Sequence, residues 1–271
     1  MSMNRKKIIR WIKILLLIYG VIGIAIYGLQ DYIMFRPVAL DKTHKYNFDI
    51  PFREVNLPYN DQVNINVIQF TTKDSVPKGV VLYFHGNRRN ISWYAKNAPV
   101  FTRNGYEVWM MDYPGFGKST GTFSEQKLYD WALLFYKLAR ARYSPDSIVL
   151  YGRSMGSGIA AELGAIRDCR KLILETPYYS FPSILGSKLP VYPMDRMIKY
   201  KIPTWKYLQE VTAPVIIFHG TSDWVIPYGN AEELKPFLKK GDEFVTIDGG
   251  SHNDLPQYQE YQQKMDSLLR N

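Results

Sequence analysis

Hydrophobic positions along this chain follow three different rules in turn. From Ile14 to Leu29 sixteen residues pass without a charge. With Trp11 included and Lys13 snorkelling outward, the run reaches nineteen residues, close to the roughly 20 that span a bilayer. Farther on, Arg53–Pro58 and Val63–Phe70 alternate apolar and polar, as a half-buried antiparallel hairpin does, with Tyr59–Gln62 as its turn. After that come short unbroken apolar runs: Gly79–Phe84, Tyr106–Met111, Ser147–Tyr151, Lys171–Leu174, Pro214–Phe218 and Glu243–Ile247. Strands without alternation are covered on both faces, which is the mark of a parallel sheet. Between them lie helical patterns. Leu128, Trp131, Phe135 and Leu138 fall at helical spacing behind the cap residue Ser124, and Gly156–Ile166 is rich in small residues that permit close packing. Gly229–Leu238 and Leu255–Leu269 complete the set. The expected fold is α/β: an eight-stranded, mostly parallel, doubly wound sheet with helices on both faces, preceded by one membrane-spanning helix.

One stretch interrupts the rhythm. Pro177–Ala213 has no strong strand but many aromatics and prolines, among them Tyr178, Tyr179, Phe181, Tyr192, Tyr200 and Trp205. A connection this long in a compact domain is usually functional, so a small helical cap over the site is expected; the alternative is a surface excursion with its own minor core. The organisation read from the sequence is therefore a basic tail and anchor over 1–30, a linker over 31–50, and a globular α/β domain over 51–271 with a cap insertion at about 177–213.

Charge sharpens the first segment. The net charge is +9, but Arg5, Lys6, Lys7, Arg10 and Lys13 precede the apolar run with no acid among the first 30 residues, and without them 29 basic face 25 acidic residues. No dense basic stripe remains, so no nucleic-acid partner is expected. The residues after the run are mixed (Asp31, Arg36, Lys42). Positive residues stay in the cytoplasm, so the chain is expected to be a single-pass protein of the cell membrane with its globular domain on the non-cytoplasmic side. A cleaved signal peptide would need a shorter apolar core and an Ala-x-Ala-like site, which Gly23-Ile-Ala25 and Ala25-Ile-Tyr27 match poorly; an uncleaved anchor is expected. The single cysteine, Cys169, excludes an intramolecular disulfide and reads as a structural thiol.

The chemistry sits where the strands end. Gly152-Arg-Ser-Met-Gly156 follows the fifth strand and opens a helix, the arrangement of a nucleophile elbow that lifts a serine hydroxyl above a sheet. Alone the pattern is common; its company gives it weight. Asp223 follows the seventh strand and His252 the eighth, in the order Ser…Asp…His used by α/β-hydrolases. A serine hydroxyl is a poor nucleophile at neutral pH, so His252 would take its proton and return it to the leaving group, while Asp223 would fix the imidazole tautomer. Two backbone donors are needed for the oxyanion: Met155, next to the nucleophile, and the turn His85-Gly86-Asn87, through the Asn87 amide. Glu175, after the sixth strand, competes with Asp223 for the acid role. His85 and His219 each sit in a His-Gly pair and are expected to serve local hydrogen bonding.

These segments, with Asp112-Tyr-Pro-Gly-Phe-Gly-Lys-Ser119, His219-Gly-Thr-Ser-Asp-Trp-Val-Ile-Pro227 and Gly250-Ser-His-Asn-Asp254, resemble the membrane-anchored abhydrolase-domain branch of the α/β-hydrolase superfamily. That branch includes lysophospholipases and protein depalmitoylases and borders on serine aminopeptidase-like hydrolases. The resemblance covers nearly the whole chain, the segment Gln30–Pro37 included. It implies Ser154 as nucleophile, Asp223 as acid, His252 as base, and Asn87 and Met155 as oxyanion donors. The chain departs from it at Arg88 and Arg89, where relatives carry small residues; the two guanidinium groups could attract an anionic headgroup or be plain solvated arginines.

The expected function is cleavage of a carboxylic ester or thioester of an acyl or lipid-like substrate through an acyl-enzyme, without metal or organic cofactor. A peptidase would need acidic residues in the cap to hold a free amino terminus, and the cap offers only Asp195 and Glu210 against five basic residues. A catalytically silent, membrane-tethered binding module would be expected to have lost a triad member, and none is lost here.

Overall fold

The computed structural model describes residues 5–270. It opens with α1, Arg5–Met34, a helix of 30 residues that is long and apolar enough to cross a membrane. None of its most apolar window is buried inside the fold. The helix runs past the apolar stretch because Gln30-Asp-Tyr-Ile-Met34 contains no proline or glycine to stop it.

Eight strands form one sheet: β1 Phe52–Asn60, β2 Val63–Phe70, β3 Gly79–Phe84, β4 Tyr106–Met111, β5 Ile148–Arg153, β6 Lys171–Glu175, β7 Val215–Gly220 and β8 Glu243–Ile247. Their spatial order is β1-β2-β4-β3-β5-β6-β7-β8. Only β2 runs against the others, antiparallel to β1 and to β4. The chain moves outward from β3 to β4 and then returns to the other side of β3 as β5. Open α/β sheets bind their ligands at such a reversal, beyond the carboxyl ends of the strands.

The central strands are apolar on both faces because both faces are covered. Leu82, Phe84, Leu150 and Ile217 pack under α2 (Glu125–Arg140) and α3 (Met155–Ile166), whereas Val81, Tyr83, Tyr151 and Phe218 face the helical turn Ala98–Thr102 and the carboxy-terminal helix. Ser124 caps α2 by accepting from the Lys127 amide.

Between β6 and β7 the chain forms α4 (Phe181–Lys188) and two short turns, Met194–Met197 and Thr204–Leu208. This layer rests on α3 at Gly158, where a Cβ would come within 2.4 Å of Ile202 and 2.5 Å of the Tyr178 hydroxyl. The small residues of α3 thus admit the cap as well as the sheet.

The segment Gly229–Leu238, expected as one helix, divides into a helix at Tyr228–Glu232 and a 3₁₀ turn at Lys235–Phe237. Pro236 has no amide hydrogen and is tolerated only in a first turn, so the helix must end before it. Pro256 does the same to the last segment, leaving a turn at Leu255–Gln257 before α5 (Gln259–Arg270).

Candidate active site

Ser154 stands between β5 and α3 with φ 52° and ψ −122°, a conformation that costs a side-chain-bearing residue about 1–3 kcal/mol. Its amide donates to the Glu175 carbonyl at 2.9 Å, and its own carbonyl accepts from the amide and hydroxyl of Ser157 at 2.9 and 2.6 Å. The flanking glycines make the turn possible. A Cβ at Gly152 would lie 2.4 Å from the Gly156 carbonyl oxygen, and one at Gly156 would lie 2.0 Å from that of Phe84.

The His252 Nε2 is 3.0 Å from Ser154 Oγ, and its Nδ1 is 2.8 Å from Asp223 Oδ2. A carboxylate facing Nδ1 assigns the ring proton to that nitrogen and leaves Nε2 free to accept the serine proton. Asp223 is buried, and its other oxygen accepts from the amides of Val225 and Ile226 at 2.8 and 2.9 Å. Burial alone would push this carboxyl up, but the hydrogen bond and charge of His252 and the Ile226 amide outweigh it and hold the group below its usual range.

Glu175, the competing acid, points elsewhere. Its Oε1 is 3.0 Å from Arg153 Nε, and its Oε2 accepts from the hydroxyls of Tyr261, at 2.7 Å, and Tyr151. Arg153 in turn donates to the His252 carbonyl and to Asn253 Oδ1, each at 3.2 Å. A buried ion pair therefore lies beneath the elbow and reaches the backbone of the histidine loop. The hydrophobic pattern contains no signal for it, since Arg153 reads simply as the second residue of the elbow.

His85 and His219 are both fully buried. His85 faces the Gly86 carbonyl at 2.8 Å and Asp112 Oδ1 at 3.2 Å; His219 Nε2 faces the Ile226 carbonyl at 3.0 Å. Neither ring has a hydrogen bond to Ser154 among the described residues, though His219 Nε2 lies 3.6 Å from Asp223 Oδ2. Burial pushes the Cys169 thiol up to about 12, so it is protonated and inert at neutral pH.

Met155 is the first residue of α3, so its amide has no intrahelical acceptor. Asn87 lies on the turn after β3, next to Gly86, where a Cβ would be 3.6 Å from Ser154 Cβ. Sequence reasoning missed what holds that turn. The Asn87 side chain donates to the Met34 carbonyl at the end of α1, and its own carbonyl accepts from the Arg36 amide at 3.0 Å. Arg36–Pro37 also pairs in parallel with Arg88–Arg89. Both arginines are exposed, and Arg89 stacks over Trp93 at 5.0 Å.

A cavity of about 170 Å³ rises from Ser154, Met155 and Asn87. Its walls are mostly apolar: Ile33 and Met34 of α1, Phe181 and Leu185 of α4, and Val225 and Ile226 after β7. Among the described residues no cluster of histidine, cysteine and carboxylate side chains is placed to hold a metal ion. The assembled groups can pass a proton from a serine hydroxyl to an imidazole and on to a leaving group.

The comparisons agree with this architecture. Residues 75–191 match the family described as serine aminopeptidase, S33. The alpha/beta hydrolase domain-containing protein 17C of Xenopus tropicalis is 30% identical over 198 residues, 70% of this chain and 61% of that protein. Its Mus musculus counterpart is 29% identical, over 70% and 59%. An esterase of Pyrococcus furiosus superposes with a TM-score of 0.67 at 15% identity, covering 88% of this chain and 97% of the esterase. The chain has the α/β-hydrolase fold. It spans about three fifths of the length of the curated relatives it matches, whose names place them in the abhydrolase-domain branch. A soluble variant of monoglyceride lipase from Saccharomyces cerevisiae, solved with a substrate analogue, shares the fold at a TM-score of 0.63 and 16% identity, over 85% of this chain and 98% of the lipase.

Proposed function

We propose that the chain is a membrane-anchored serine hydrolase that cleaves a carboxylic ester or thioester of an acyl or lipid-like substrate. The observation that carries this is the relay Ser154 Oγ–His252 Nε2–Asp223 at 3.0 and 2.8 Å, seated at the ends of three strands with Ser154 lining a mostly apolar cavity. In the first half-reaction the Ser154 oxygen attacks the acyl carbon as His252 takes its proton. The oxyanion is held by the amides of Met155 and Asn87, and His252 protonates the departing alcohol or thiol. Water then repeats the sequence on the acyl-enzyme. Helix α1 anchors the protein, and the five basic residues before its apolar run favour a catalytic domain on the non-cytoplasmic side.

The description of the matched family favours a peptidase as a second reading. Against it, no carboxylate lines the cavity among the described residues, and its one cationic side chain is Lys188. A free amino terminus would find no counter-charge there. Fluorophosphonate labelling of the full-length protein in membranes, wild type against Ser154→Ala, tests the proposal. Labelling of the wild type alone is expected; an unlabelled, folded wild type would refute an activated serine. A nitrophenyl ester series against an aminoacyl anilide then separates ester from amide cleavage.

A further inference from the structure

Helix α1 does not stand clear of the domain. One stripe of it, at the helical spacing Tyr19, Gly23, Ile26 and Gln30, lies along the cap. Tyr19 stacks on Tyr192 at 4.4 Å, and each hydroxyl is satisfied by the other segment: Tyr19 donates to the Val191 carbonyl and Tyr192 to the Tyr19 carbonyl, both at 3.0 Å. Gly23 leaves room for the Tyr192 ring, which a Cβ there would approach to 3.3 Å. Gln30 bonds the Met197 carbonyl and the Lys199 amide, and Lys199 pairs with Asp31 at 3.2 Å.

Those contacts fix depth. The part of α1 that precedes them, Arg5–Ile18, is about 21 Å long at 1.5 Å per residue, shorter than a hydrocarbon core of about 30 Å, and it carries all five basic residues. A membrane span therefore has to use the half that touches the cap. Tyr19 is then about 15 Å from Leu29 along the helix, well inside the apolar layer, and Val191 and Tyr192 are level with it.

The cap surface at that level suits hydrocarbon. Leu189-Pro-Val-Tyr-Pro-Met194 has no charge, Val191 is 68% exposed, and Trp224, in the loop after β7, is 88% exposed. Lys188 Nζ is held by the carbonyls of Trp224 and Val225. The exposed members of the cavity wall are Ile33, Lys188 and Val225, so the cavity opens between α1, α4 and the loop after β7, onto this same face. A cavity of about 170 Å³ holds a ring-sized group, so a longer acyl chain must continue outside the mouth.

We propose, resting on α1 as a span and Ser154 as the nucleophile, that the cap loop Leu189–Tyr192 and Trp224 are seated in the acyl-chain layer of the leaflet around α1. The acyl chain of the substrate then passes from that leaflet into the cavity between Ile33, Leu185 and Val225 without crossing water.

The test uses the full-length chain with Cys169→Ser, reconstituted in phosphatidylcholine–phosphatidylglycerol vesicles. A nitrobenzoxadiazole probe is placed in turn at Val191→Cys, Trp224→Cys, Leu17→Cys and Val76→Cys. Phosphatidylcholine with a doxyl group on its acyl chain is expected to quench the probes at positions 191, 224 and 17 several-fold more than at 76, a distant exposed loop residue. Probes at 191 and 224 that behave like 76 while 17 is quenched would overturn the seating and leave the anchor standing. An unquenched probe at 17 would overturn the anchor and the seating together, and fluorophosphonate labelling reports Ser154 independently of both. For entry, the readout is the ratio of turnover on a long-chain ester in the vesicles to turnover on a soluble short-chain ester. Val191→Glu with Trp224→Glu is expected to lower that ratio roughly tenfold; an unchanged ratio overturns entry from the leaflet.

Discussion

Replacing Arg153 by methionine probes the ion pair beneath the nucleophile elbow. The guanidinium and the Glu175 carboxylate are 4% and 1% exposed and 3.0 Å apart, so neither has water to fall back on. Removing one partner of such a pair leaves an uncompensated buried charge and costs about 3–5 kcal/mol. Glu175 keeps its bonds from Tyr151 and Tyr261, which places the expected loss at the lower end, about 3 kcal/mol. Arg153→Met with Glu175→Gln removes the stranded charge, so the double variant is expected to be more stable than Arg153→Met alone, with a coupling of about 1–3 kcal/mol. The same substitution frees the His252 carbonyl and Asn253, so kcat on a soluble ester is expected to fall about tenfold to a hundredfold with KM nearly unchanged. Chemical unfolding of the full-length protein in mild detergent, followed by tryptophan fluorescence, gives the stabilities, and ester turnover gives the kinetics. Strict additivity of the two substitutions, or full kcat in Arg153→Met, would refute the unit.

Other expectations concern neighbouring groups. Asp223→Asn should lower kcat by about 10⁴ while the protein remains folded, because the imidazole loses the partner that sets its tautomer; Glu175→Gln should not approach that loss, and equal kinetic losses would remove the distinction between the two carboxylates. Since the Asp223 carboxyl is held below its usual range, its contribution to stability is present above the unfolded value of 3.8 and disappears only as pH falls through the lower folded value, which titration of unfolding free energy in Asp223→Asn against wild type would read. Glu162 on α3 shows the opposite sign. Burial, then Asp130, pushes its carboxyl up to about 7 from 4.5, so stability falls as pH rises through that interval. Allowing for solvent screening at this partly exposed site, Glu162→Gln should add about 1–2 kcal/mol above pH 7 and nothing near pH 4; an equal gain at both would disprove it. Gly156→Ala should abolish folded, labelled protein despite alanine's better helix propensity, since its Cβ would meet the Phe84 carbonyl at 2.0 Å.

Much of the sheet was legible because a strand covered on both faces has to be apolar at every position. The limits of β3, β4 and β8 match their apolar runs to the residue. The hairpin was legible from its alternation, but only Phe52–Asn60 keeps a wetter face; Ile65–Phe70 is buried throughout, Asn66 and Gln69 included, because this strand lies between β1 and β4. Segments with prolines inside a helical pattern were misread: Pro236 interrupts the run after Tyr228 whatever its apolar spacing. The side chains in the Ser154–His252–Asp223 relay could be named because each follows a strand that ends at the same edge of the sheet. Glu175 remained a competitor to Asp223, because it ends a parallel strand at the same edge. It took the position of Arg153 and the two tyrosine hydroxyls to turn Glu175 away.

Local and periodic information, which the order of residues carries directly, determined the strands, the long apolar helix, the glycines at the elbow and the succession of serine, aspartate and histidine. Contacts between segments far apart in the chain were decided only by tertiary structure. Asn87 fastens to the end of α1, Arg153 reaches the histidine loop, and Tyr19 packs on Tyr192. These rest on hydrogen bonds and ring contacts between residues separated by 53, 99 and 173 positions. No periodicity along the sequence encodes such pairs, because their proximity is produced by the packing of the whole core.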